Sequence, residues 1–149
     1  MSESMPAGTA FAERVFRECL DAFSEVVFTV TGHCMRPDLA HGERVRVVSV
    51  SKRRPRFGDI VLTRRAGDVR LHRLVWRPRR AAARASWRTK ADGAAFLDPR
   101  LSREDVVGTV VAVAGRAYRR RPVRALRSLL QAVASRARAA VRERRRPSR

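Results

Sequence analysis

The chain has 149 residues, 34 of them Lys or Arg and 14 Asp or Glu, for a formal net charge of +20. That length accommodates one domain with an apolar core, and an apolar content of 44% is too high for wholesale disorder. The longest mostly apolar runs, Val26–Val30 and Val106–Ala114, fall far short of the roughly 20 residues needed to span a bilayer.

The N-terminal sequence MSESMPAGTAFAERVF lacks a basic segment followed by an apolar one, so no secretory signal is expected. The two cysteines, Cys19 and Cys34, form neither a CxxC pair nor a disulfide framework. The expected setting is therefore a reducing cytoplasm. The charge is uneven: residues 1–43 carry a net −4, and residues 44–115 and 116–149 carry +12 each. The basic excess is nearly all arginine, with Lys52 and Lys90 the only lysines. Such a balance points to an anionic partner, nucleic acid or a membrane surface, or reflects a coding bias towards arginine. Composition alone does not separate these readings.

Residues 9–25 have a helical period, with Phe11, Val15, Cys19, Ala22, Phe23 and Val26 on one face and charged residues between them. From Val26 the period becomes two, and Val26–Thr31 reads as a strand ending at Gly32-His33-Cys34-Met35-Arg36-Pro37. Arg44–Val50 alternates Arg and Val as a half-buried strand does. Asp59–Arg64 and Val69–Trp76 read as a hairpin around Ala66-Gly67-Asp68. A basic loop, Arg77–Arg84, precedes a short strand, Ser86–Lys90, and a longer one, Val106–Ala114. In residues 116–149, Leu126, Leu129, Leu130, Val133, Ala137 and Val141 share a helical face, Arg covers the rest, and Arg142–Arg149 reads as disordered. The expected organisation is an N-terminal amphipathic helix (1–25), a mainly antiparallel β-domain (26–115) and a basic amphipathic helix with an Arg-rich tail (116–149).

Among candidate reactive groups, Cys34 stands out by its setting. It follows a strand in a tight, Gly-containing turn that can present a side chain and a backbone N–H together, as a nucleophile beside an oxyanion hole requires. A thiol also needs a base, because the thiolate is the reactive form. His72, between Leu71 and Arg73 in a hairpin strand, is the candidate, and Asp92 and Asp98 are candidates to orient its ring. No spacing among Cys34, His33, His41 and His72 matches a zinc pattern, so no metal or other cofactor is expected. Trp76 and Trp87 read as sheet-packing residues.

The order of motifs resembles the type I signal peptidase superfamily, which includes the self-cleaving SOS-type repressors. In that family a strand leads into Gly-x-Ser-Met-x-Pro, then Gly-Asp/Glu-x-Val-x-Val and a basic-Gly-Asp-Ile-Val segment. A strand carrying the general base follows, then Thr-Lys-Gly-Asp and a closing Gly-x-Val strand. Here the matching residues are Gly32–Pro37, Gly42–Val47, Arg56–Val61, Leu71–Val75, Thr89–Asp92 with Asp98, and Val107–Val110. His72-Arg73-Leu74-Val75 is similar to the archaeal and endoplasmic-reticulum type, whose base is His, rather than to the bacterial type, whose base is Lys.

The resemblance implies a signal-peptidase-like β-domain and a peptidase acting on a leader or precursor peptide. Cys34 would be the nucleophile, His72 the base, and Asp92 and Asp98 the acidic residues. Two positions depart from the family pattern: Cys34 replaces the nucleophilic Ser, and Ala91 replaces the Gly of Thr-Lys-Gly-Asp. The alternative is an inactive family member that binds peptide, lipid or nucleic acid through its basic surface. The membrane anchor typical of the family is not read in this sequence. The basic helix reads as an interfacial membrane element, with nucleic acid the less favoured partner, or as a helix packed on the β-domain.

Overall fold

Valines separated by arginines make a strand with one wet and one dry face, and β2 (Arg44–Ser49) shows it: Val45 and Val47 are buried, while Arg44 and Arg46 are exposed. A computed structural model describes residues 18–65, 67–78 and 86–144. Within them, residues 18–23 are helical and lead into β1 (Glu25–Thr29). The earlier part of the expected N-terminal helix, most of the Arg77–Arg84 loop and the last five residues of the chain lie outside the described residues.

After β2 come β3 (Ile60–Arg65), β4 (Asp68–Trp76), β5 (Arg88–Lys90), β6 (Val106–Val113) and β7 (Arg116–Ala117). The C-terminal helix, α1, spans Pro122–Arg144. The strands form one sheet in the order β1-β2-β6-β3-β4-β5, with β7 on β6, and every pairing is antiparallel. Mainly antiparallel β architecture with a C-terminal helix is thus the fold class, as the strand pattern predicts. Among the described residues, no helix is long and apolar enough to cross a membrane.

β3 is the most enclosed strand. Ile60, Val61 and Leu62 are all buried, because side chains on both of its faces meet core. Ile60 and Leu62 join Val30, Met35, Leu39, Val45, Val47 and Val110 on one face. Val61 joins Leu74, Trp87, Leu101 and Val106 on the other. Trp87 packs the sheet as expected and forms an isolated bridge with Leu101, whereas Trp76 is 57% exposed.

α1 docks on the body through small residues: Ala125, Ser128 and Ala132 are buried, and the helix lies against β4. Its seat is the turn before β3. Gly58 has φ +91°, and a Cβ there would stand 2.9 Å from the backbone N and Cα of Pro122. Only glycine meets both conditions without strain. Asp59 pins this turn, accepting hydrogen bonds from the Arg56 N–H (2.8 Å) and the Arg53 guanidinium (3.1 Å).

Candidate active site

Successive residues of a strand point to opposite sheet faces. In β4 this separates His72 from Arg73 and builds two different polar clusters from neighbouring residues. His72 lines an open cleft of about 750 Å³, whose wall also includes Cys34 and Asp98. The rest of the wall is mainly apolar, including Val30, Met35, Leu39, Leu71 and Ala91.

Three segments meet at the cleft. The first is the turn between β1 and β2. It is anchored by buried Met35 and Leu39 and by hydrogen bonds of the Val30 N–H to the Glu43 carbonyl (2.8 Å) and of the Gly42 N–H to the Val30 carbonyl (2.9 Å). Gly32 opens the turn at φ +99° and donates its N–H to His41 Nδ1 at 3.2 Å. Cys34 is exposed, and its carbonyl accepts a hydrogen bond from the Gly93 N–H at 3.0 Å. Among the described residues, the backbone hydrogen bonds of the turn do not use the Cys34 N–H.

The second segment is β4, which holds His72 opposite Val61 in the β3–β4 register and leaves it buried, 7% exposed. The third is the loop after β5. The Asp98 N–H donates to the Thr89 carbonyl at 3.0 Å, and the Thr89 hydroxyl donates to Asp98 Oδ2 at 2.7 Å. That same oxygen lies 2.6 Å from His72 Nδ1. Burial favours the neutral Asp98 carboxyl, but the hydrogen bond and charge of His72 and the Thr89 hydroxyl outweigh it and hold Asp98 below its ordinary pKa. An ionised Asp98 fixes the proton of a neutral His72 on Nδ1 and leaves Nε2 as the acceptor.

The sequence offered Asp92 and Asp98 together as partners of the imidazole, and the fold separates them. Asp98 bonds His72, whereas Asp92 faces Arg73. The Arg73 guanidinium, fully buried, donates to both Asp92 oxygens (2.7 and 2.6 Å), to Asp38 Oδ2 (2.7 Å), to the Gly58 carbonyl (3.0 Å) and to the Tyr118 hydroxyl (3.1 Å). Burial disfavours its charge, yet the bonds to Asp92 and Tyr118 leave its pKa raised. This network ties the Cys34 turn, through Asp38, to β4, to the loop carrying Asp92 and to the segment entering α1. Sequence reasoning missed it. Its one signal is that Arg73 directly follows His72, so strand alternation sends it to the opposite face of β4, beside Ile60.

Lys90 is also buried, and donates to the Ala91 carbonyl (3.2 Å) and to Gln131 Oε1 of α1 (3.1 Å). Burial lowers its pKa despite the nearby charges of Asp92 and Asp98. It faces the helix and does not line the cleft, whereas His72 does. His33 and His41 place their rings 5.5 Å apart beside the turn. Among the described residues, no group of three or more His, Cys, Asp or Glu side chains could hold a metal ion. No known family model matches the chain, and no curated protein or solved structure is significantly similar to it.

Proposed function

We propose that the chain is an endopeptidase of the signal-peptidase type that cleaves a leader or precursor peptide with Cys34 as nucleophile, His72 as base and Asp98 as the orienting carboxylate. The observation that carries this reading is the 2.6 Å His72–Asp98 pair opening onto the cleft that also exposes Cys34. Resemblance of the motifs to that family, in order over residues 26–113, supports it as well.

With Nδ1–H donated to Asp98, Nε2 of His72 accepts the thiol proton as Cys34 Sγ attacks the scissile carbonyl. The Cys34 N–H donates to the developing oxyanion. As the tetrahedral adduct collapses, His72 Nε2–H protonates the leaving amine and a thioester remains on Cys34. Water, deprotonated by His72, then hydrolyses the thioester and restores the thiol.

Asp92 takes no direct part. It holds Arg73, and through Arg73 and Asp38 the geometry of the nucleophile turn. The substrate lies extended along Asp68–Leu71 of β4. That stretch pairs only with β3 among the described strands, because β5 reaches no further than Arg73. The apolar wall of the cleft suits uncharged side chains near the cut.

Iodoacetamide labelling at pH 7 resolves the two thiols by peptide mapping. Cys34 reacts faster than Cys19, and His72→Ala slows Cys34 by about tenfold or more while leaving Cys19 unchanged. Equal labelling of Cys34 in the two proteins would rule out the activated thiol and leave the cleft a peptide-binding groove.

A further inference from the structure

α1 presents two unlike faces. Inward, Ala125, Ser128 and Ala132 are buried, and Gln131 reaches Lys90. On the outer side, Val123, Leu126, Leu130, Val133 and Val141 are 65, 51, 60, 60 and 51% exposed. At about 100° per residue these five side chains fall in one stripe along the helix. Arg127 and Arg138 border it on one flank and Arg136 on the other. Among the described residues, none of Arg127, Arg136, Arg138 and Arg142 makes an ion pair.

We propose that α1 lies in the interface of an anionic membrane, its Val123–Val141 stripe immersed at the acyl boundary and its flanking arginines on lipid phosphates. Charge complementarity selects this occupant. Residues 116–149 hold 13 Arg and a single acidic residue, Glu143. A second copy seated on the same stripe would therefore set arginine against arginine with almost nothing to pair them. A nucleic acid would engage the arginines but has no use for five exposed aliphatic side chains. An anionic bilayer uses both features at once, and each Arg near its surface strengthens the attraction. Because α1 docks on β4 through the opposite face, insertion requires no undocking, and the whole β-domain is carried to the surface. The proposal is independent of the peptidase reading, since it rests on no residue of the cleft.

Flotation of the full chain tests it, with vesicles of phosphatidylcholine alone and of phosphatidylcholine with about 30% phosphatidylglycerol. The protein floats with the anionic vesicles, stays behind with the neutral ones, and is released as salt rises. Leu130→Ser/Val133→Ser changes exposed positions only, so it keeps the wild-type melting curve. It partitions at least about tenfold more weakly into anionic vesicles. Wild-type partition by the double variant would show that arginines alone hold the lipid and overturn the immersed stripe. Absence of wild-type flotation at low salt, with or without dimerisation in solution or binding to duplex DNA, would overturn the membrane assignment itself.

Discussion

Arg73→Met removes the guanidinium on which five hydrogen-bond acceptors converge. The two carboxylates it serves are left in different positions. Asp38 keeps Arg121 and Arg124 at 3.5 and 3.6 Å and the Tyr118 hydroxyl at 3.3 Å. Asp92, its side chain 9% exposed, keeps among the described residues one hydrogen bond, from the Ser128 hydroxyl at 3.5 Å, and the nearby charge of Lys90. The substitution therefore strands chiefly one buried negative charge, and removing one partner of a buried ion pair costs about 3–5 kcal/mol. For a chain of this size that lowers the melting temperature by roughly 10 °C. Adding Asp92→Asn to Arg73→Met removes the stranded charge and recovers about 2 kcal/mol of the loss, a coupling that a double-mutant cycle resolves. Urea unfolding at pH 7, with midpoints compared at unchanged m, is the assay. A loss below about 1 kcal/mol for Arg73→Met, or strict additivity with Asp92→Asn, would refute the view that this network joins the Cys34 turn to the sheet.

Asp98→Asn tests the other carboxylate. Because the folded pKa of Asp98 is lowered, its stabilisation is fully present above the ordinary aspartate value of about 3.9 and is lost as pH falls through the folded value. Urea midpoints from pH 7 to pH 2 are thus lower for the variant near neutrality and converge with wild type in acid; parallel curves would contradict this. Under the proposed peptidase mechanism, hydrolysis by the variant falls on the order of a thousandfold, because the imidazole is no longer held in the tautomer that mechanism uses. Gly58→Ala places a methyl group against the Pro122 backbone at a positive φ. It costs about 2 kcal/mol or more in thermal melts and loosens amide protection in the first turn of α1. A neutral substitution would mean that α1 is not seated on that turn.

Much of the sheet is legible in the sequence, because alternation is strong where one strand face is dry and the other wet. The Arg–Val alternation of Arg44–Ser49 and the turn residues around Gly67 both lead to paired strands. β7 is not legible: Arg116 and Ala117 are both exposed, and two residues carry no period. Neither is the inward face of α1. Leucine and valine mark the opposite stripe, while docking uses Ala125, Ser128 and Ala132, beside hydrogen bonds from Ser128 to Asp92 and from Lys90 to Gln131. At the cleft, residue types single out Cys34 and His72. Spacing does not decide between Asp92 and Asp98, whose roles part only because Arg73 and His72 leave β4 on opposite sides.

The dependence of buried Arg73 and Lys90 on Tyr118 and Gln131 has a consequence for biosynthesis. A chain emerging from the ribosome releases the Cys34 turn early and the β4–β5 segment midway, and domains begin to fold as they emerge. Arg73 still lacks its Tyr118 acceptor until residue 118 has emerged, and Lys90 lacks Gln131 until the middle of α1 has. The exposed Cys34 thiol is thus synthesised well before the residues that satisfy the two buried cations beneath it.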